Sequence, residues 1–346
     1  MKDRTAMGTT TAGDRQRELG SFYTQGNPFI YAPFRAWFEQ LPAGAVIAEP
    51  FAGTGQIPKL VADAGLDARW ALFDIDTSLT GVEHRDSIAD YPSGFAAVIT
   101  NPPYLSYHFA KRKGLKVNRA MFGGHASLYL TCIELALAAH DYVAMIVPES
   151  FVTSGKFRDR LQAVVSLPFV MFDDTDMPTC LALWGRERTG DFQVWRQGAP
   201  LGPYSALARG LEATACADRL TFNAIDGQVG LKAIDSSTGP TIGFCDPDLI
   251  PDAKVKSSAR LVSRVRVDGL CHRDAAAVIG AANTILAGLR DRTQDVLLTA
   301  FKGVRVDGKF RRRLDFANAR IILSHALCQV EGHAHGEAGS GVPAAA

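Results

Sequence analysis

The chain has 346 residues, 47% of them apolar and 21% charged, with a formal net charge of +1. That is enough apolar residue for one large or two modest cores, and too balanced a charge for a globally basic nucleic-acid binder. The polar first 17 residues lack a signal-peptide core and no 18-residue stretch is uncharged, so neither secretion nor a membrane span is expected and the location expected is cytoplasmic. Six cysteines show no CxxC pair or zinc spacing and read as free thiols; no metal site is expected.

In chain order, the first strand is Val46-Ile-Ala-Glu49, running into the turn Pro50-Phe-Ala52-Gly53-Thr-Gly55. Glycine permits positive φ and close backbone approach of a ligand. A helix is expected to open near Gln56, with Pro58 tolerated in its first turn. A second strand, Arg69-Trp-Ala-Leu-Phe-Asp74-Ile-Asp76, ends in two carboxylates about twenty residues past the glycines, where dinucleotide folds hold ribose hydroxyls. Neither GxGxxG nor GxxxxGK[ST] occurs, which favours a ligand with ribose and adenine but no phosphate.

The run Phe95-Ala-Ala-Val-Ile-Thr100 reads as a buried strand, and Asn101-Pro102-Pro103-Tyr104 follows it directly. Two prolines cannot continue a sheet, so the chain leaves it at a rigid kink with an amide and a phenol on either side. An amide oxygen, a freed carbonyl and an aromatic face together suit a planar amino group on a ring. Residues 105–122 then carry Lys111, Arg112, Lys113, Lys116 and Arg119, a basic loop expected at the mouth of the site to meet phosphates beside a bound nucleotide. A helix over 127–139 and a strand over 141–151 complete the alternation of a parallel, mostly buried sheet. Residues 164–172 and 179–184 form a hairpin-like region.

Past residue 190 the composition shifts to glycine- and proline-containing turns with two basic clusters. One includes Arg260 and Arg264, the other Arg305, Arg311, Arg312 and Arg313. At least one is expected to contact a nucleic-acid backbone.

Taken in order, these motifs resemble the S-adenosylmethionine-dependent adenine-N6 DNA methyltransferases of restriction-modification or orphan type, in the gamma arrangement. Gly20-Ser-Phe-Tyr-Thr-Gln-Gly-Asn-Pro-Phe29, Glu49-Pro-Phe-Ala-Gly-Thr-Gly55, Phe73-Asp-Ile-Asp76, His84-Arg-Asp-Ser-Ile88 and Asn101-Pro-Pro-Tyr104 carry the likeness, which covers about residues 18–188. The resemblance implies an α/β fold: a Rossmann-like S-adenosylmethionine-dependent methyltransferase domain over 18–190 and a target-recognition, DNA-binding region over 191–330. Residues 1–17 and 331–346 are expected to be flexible. It also implies that Gly53 and Gly55, with Pro50 and Ala52, hold the amino-acid end of the cofactor, that Glu49 faces its charged end, and that Asp74 or Asp76 takes the ribose. Asp86 would accept from the adenine amino group, and Phe22, Tyr23 and Thr24 would cover the methionine side. The family's proline after Tyr-Thr is replaced here by Gln25.

In the implied chemistry Asn101 and the Pro102 carbonyl grip the exocyclic amine of an adenine flipped out of double-stranded DNA. Tyr104 stacks on that base, with Phe172, or else Phe169, on its other face. An RNA adenine or, less favoured, a protein glutamine is the alternative acceptor, because Asn-Pro-Pro-Tyr also occurs in enzymes of those kinds. No nuclease motif is evident, so a cognate restriction endonuclease would be a separate partner. The oligomeric state and the recognition sequence stay open.

Overall fold

The computed structural model describes residues 26–167 and 177–338, with side chains as far as Gly332. Two compact units divide the chain between Pro200 and Leu201.

Unit 1 begins with helix α1 (Ala32–Phe38), then alternates strand and helix: β1 (Val46–Glu49), α2 (Gln56–Asp63), β2 (Arg69–Asp74), the short β3 (Glu83–His84) and β4 (Ala97–Thr100). There follow α3 (Tyr107–Arg112), α4 (Leu128–Ala139), β5 (Tyr142–Pro148), β6 (Leu161–Leu167), β7 (Thr179–Trp184), β8 (Gln193–Arg196) and β9 (Ala199–Pro203). They form one nine-stranded sheet in the order β3-β2-β1-β4-β5-β7-β6-β8-β9. β2, β1, β4 and β5 pair in parallel, and the apolar runs of β1, β4 and β5 are buried as strands covered on both faces must be, while β2, nearer the sheet edge, buries only Phe73. The all-parallel expectation fails at β7. It enters antiparallel between β5 and β6, every residue of it buried, because it returns from β6 as one arm of a hairpin.

Under this sheet Phe29, Phe34 and Trp37 are buried, and the Trp37 indole donates to the Trp184 carbonyl at 2.8 Å. The Asn27 amide donates to the Leu60 carbonyl at 2.8 Å, which fixes the chain just before α1 against α2.

Unit 2 contains a four-stranded sheet, β10 (Leu220–Phe222), β11 (Val229–Lys232), β12 (Gly243–Cys245) and β13 (Val262–Val267), in the order β10-β13-β11-β12. Helices α5 (Ala275–Thr293) and α6 (Phe316–Ala338) share one core with it, and β14 (Thr299–Val304) pairs with β15 (Phe310–Arg313). A buried hub holds this unit: Asp235, fully buried, accepts from Arg290 and from Arg305 at 3.1 Å each. The tail expected from residue 331 is helical to Ala338, and Glu331 is ion-paired to Arg219 at 2.8 Å. No helix among the described residues is long and apolar enough to cross a membrane.

Candidate active site

The motif residues of unit 1 fall at the carboxyl ends of neighbouring strands, where open α/β sheets place ligands. Glu49 ends β1, Asp74 ends β2, Asp86 lies two residues beyond β3, and Asn101 follows β4. These four strands stand side by side in the sheet, so residues far apart in sequence line one edge.

The turn after β1 is held by backbone and carboxylate contacts. Ala52 N–H donates to the Phe73 carbonyl at 2.9 Å and Gly53 N–H to Asp74 Oδ2 at 2.8 Å. Gly53 and Gly55 have φ of +51° and +76°, and a Cβ on either would meet nothing within 4 Å. Here glycine is required by conformation, and open space borders the turn. Asp74 Oδ1 also accepts from Asp76 N–H at 2.9 Å, so Asp74 organises the turn while Asp76 is exposed beyond it. Asp76 Oδ1 accepts from the Ser78 hydroxyl at 2.7 Å. Asp86 Oδ1 caps the next turn, accepting from Ile88 and Ala89 N–H.

Glu49 is 1% exposed, and its Oε2 has no hydrogen-bond partner among the described residues. Burial, and then the charge of Asp74, push its carboxyl well above the usual carboxylate range. A buried, unpaired carboxylate is costly by itself and is offset by a cation delivered to it. The open glycine turn and this orphan oxygen together fit the ammonium-bearing end of S-adenosylmethionine.

Asn101 is half-buried, while Pro102 and Pro103 are buried and lock the exit from β4. Tyr104, expected to stack on the target base, is anchored through its hydroxyl. It is 8% exposed, its ring meets Tyr129 edge-on, and its hydroxyl lies 2.6 Å from Asn101 Oδ1 and 2.9 Å from the Ile146 carbonyl. Burial raises the phenol, so it stays a hydrogen-bond donor. An amide oxygen has two lone pairs, so Asn101 Oδ1 can take this hydroxyl and a substrate N–H together. Tyr104→Phe is expected to lower kcat about 2–10-fold, the value of one orienting hydrogen bond, without changing cofactor affinity. Steady-state kinetics beside calorimetry checks it.

Phe22, Tyr23, Thr24, Phe172 and Phe169 lie outside the described residues. Sequence reasoning missed Glu149, a carboxylate at the end of β5 only 2% exposed, whose Oε1 accepts from the Ser166 hydroxyl of β6 at 2.5 Å. Its position at the end of a run ending in proline was the available signal.

The basic residues divide. Lys111, Arg112 and Lys113 are exposed, as is Arg260. Arg312 is 2% exposed and Arg305 is 5%, so neither can meet a phosphate. Arg264 donates to the Pro247 and Ile225 carbonyls and is paired with Asp252 at 2.8 Å. Arg311 Nε donates to the Asp235 carbonyl at 2.9 Å, and Arg313 Nε is buried. Arg264, Arg305, Arg311 and Arg312 are thus taken up within unit 2, so of the arginines expected to meet a nucleic-acid backbone there Arg260 is the one exposed.

Among solved structures, the methyltransferase subunit of a type I restriction-modification system from Streptococcus thermophilus is 17% identical, with a TM-score of 0.37, over 56% of this chain and 53% of that one. A modification subunit assigned to a type I restriction enzyme from Vibrio vulnificus is 15% identical, with a TM-score of 0.39, over 54% and 48%. The type IIG restriction endonuclease BpuSI is 15% identical, with a TM-score of 0.37, over 53% and 28%. The chain thus spans about half the length of the first two. No curated protein matches it. The model of the Eco57I restriction-modification methylase family matches residues 58–166, a span that holds Asp74, Asp86 and the whole of Asn101-Pro-Pro-Tyr104. The match over residues 58–166 supports an S-adenosylmethionine-dependent methyltransferase domain of the restriction-modification type.

Proposed function

We propose that this protein methylates the N6 amino group of adenine within a specific sequence of double-stranded DNA, on a base flipped out of the helix. S-adenosylmethionine supplies a methyl group on a positively charged sulfur, so the acceptor must be a nucleophile held in line. The adenine amine is a poor one because its lone pair is delocalised into the ring. Asn101 Oδ1 and the Pro102 carbonyl would accept its two N–H bonds, favour a more tetrahedral nitrogen and stabilise the charge that grows as the N–C bond forms and the S–C bond breaks. The amine proton then passes to water. Positioning supplies the rest, since Glu49 and the glycine turn stand on the strand next to Asn101.

The observation that carries this reading is the Asn101 amide fixed at the end of β4 by the Tyr104 hydroxyl, one strand from an orphan carboxylate beside an open turn. Unit 1 would perform the transfer and unit 2 would recognise the target sequence, with any restriction endonuclease a separate cytoplasmic partner. Incubation with mixed-sequence DNA, followed by mapping of N6-methyladenine, tests it: one recurring methylated sequence is expected. Methylation of RNA adenine or of a protein glutamine, with DNA untouched, would replace the substrate assigned here.

A further inference from the structure

Between β4 and α4 the chain makes an excursion that is itself a small folded body. Leu105, Ala110, Phe122 and Leu128 form a core of their own, with Tyr107, Leu115 and Met121 packed against it. Its root is zipped: Tyr107 N–H donates to the Ala126 carbonyl and Leu128 N–H to the Leu105 carbonyl, both at 2.9 Å, around a bridge between Ser106 and Ser127. Ser106 caps α3 through Phe109 N–H, and Asn118 caps the 3₁₀ turn Arg119–Phe122. This arm is therefore ordered rather than a loose basic loop, and its root begins at the fourth residue after Asn101.

Its charge is one-sided. No aspartate or glutamate occurs between Asp90 and Glu134, whereas Lys111, Arg112, Lys113, Lys116 and Arg119 all fall within that interval and all are exposed. Among the described residues none of the five is ion-paired, and Glu134 is taken by His125 at 3.2 Å. Two of the guanidinium groups rest on rings of the arm itself, Arg119 at 4.3 Å from the Tyr107 centroid and Arg112 at 5.6 Å from that of Phe109. Such seating orders a long side chain before any partner arrives. Five arginines of unit 2 contrast with these, since Arg264, Arg266, Arg273, Arg290 and Arg305 each have an aspartate partner, while Arg260, Lys254 and Lys256 there are exposed but stand on no folded arm beside Asn101. A cation already paired releases little on meeting a phosphate, whereas an unpaired one displaces condensed counterions.

We propose that the arm, residues 105–126, is a preformed clamp for the phosphates flanking the target nucleotide and carries the main backbone contact of the protein with duplex DNA. This rests on the DNA reading above. The clamp fixes register and supplies affinity, and it reads no bases. The test is binding of a labelled mixed-sequence duplex by fluorescence anisotropy across a salt series, for the full chain and for the variant Lys111→Gln/Lys113→Gln/Lys116→Gln. Each lost phosphate contact lowers the slope of log K against log salt by about 0.9, so the slope should fall by about 2–3 and affinity at physiological salt by tenfold or more. Unchanged S-adenosylmethionine binding by calorimetry shows that the variant is folded, and Lys113→Glu alone gives a milder substitution with the same expected direction. Arg266→Gln/Arg273→Gln removes two paired cations and should change the slope by less than half as much. If the wild type methylates DNA and the arm variants keep its slope, the clamp is refuted while the function stands. If the wild type has no affinity for duplex DNA, both fall.

Discussion

Asn101→Ala is expected to lower the rate of methyl transfer about 10²–10³-fold while leaving the affinity for S-adenosylmethionine within about twofold. The magnitude is that of deleting one preorganised polar group aimed at charge that develops in the transition state. The separation of effects follows from position. The groups that fit the cofactor, Glu49 and the turn at Gly53 and Gly55, belong to β1 and the turn after it, and that turn is held by the Phe73 carbonyl and the Asp74 carboxylate of β2. The fold should also survive: without the amide, Tyr104 still has the Ile146 carbonyl at 2.9 Å, so no buried hydroxyl is orphaned. Single-turnover transfer of labelled methyl to DNA, run beside calorimetry and a thermal melt, separates the three quantities. Transfer at near-normal rate would mean that the amine is gripped elsewhere.

The arm sharpens that expectation. On the clamp proposed above, substituting Lys111, Lys113 and Lys116 should raise KM for DNA before it lowers kcat, whereas Asn101→Ala should do the reverse. The two kinds of substitution then report on separate parts of a single excursion from β4.

Much of unit 1 was legible because its signals are local. The runs at 46–49, 97–100 and 142–148 are short, apolar and rich in β-branched residues, and each became a strand. Gly53 and Gly55 occur where φ must be positive, and α2 opens at Gln56 as its sequence requires. What stayed hidden depends on pairings between distant residues. The hairpin read over 164–184 places β7 antiparallel to β6, but nothing local to Thr179–Trp184 says that it inserts between β6 and β5. Nothing in Arg305 or Arg312 distinguishes a surface cation from a buried one. For Arg305 the distinction is made by Asp235, 70 residues before it, a single acid that also draws in the guanidinium of Arg290. The anchoring of Tyr104 was hidden for a related reason: beside Asn101 Oδ1, the second acceptor within reach of its hydroxyl is a backbone carbonyl of β5, 42 residues on.

Glu49→Gln is expected to raise the melting temperature of the cofactor-free protein while weakening S-adenosylmethionine. Oε2 of Glu49 is a buried acceptor with no partner among the described residues, and burial together with Asp74 raises its folded-state pKa. Protonation is therefore easier in the folded chain than in the unfolded one. The stability this linkage contributes is fully present below the unfolded carboxyl value, about 4.3, and is lost as pH rises through the raised folded value. Glutamine cannot ionise, so it removes the cost of a bare buried charge, about 1–3 kcal/mol, or about 2–10 °C in a domain of this size. The gap between the two melting curves should be widest at neutral pH and close near pH 4. Binding should move the opposite way. A carboxylate hydrogen-bonded to an ammonium is worth about 1.5–3 kcal/mol, so affinity should fall roughly 10–150-fold. Wild-type affinity should also climb with pH as the carboxyl ionises, for as long as the cofactor's α-amino group keeps its proton, while that of the glutamine variant should stay flat over the same range. A lower melting temperature for the variant would show that the carboxylate already has its partner within the fold, and that its burial serves structure rather than the ligand.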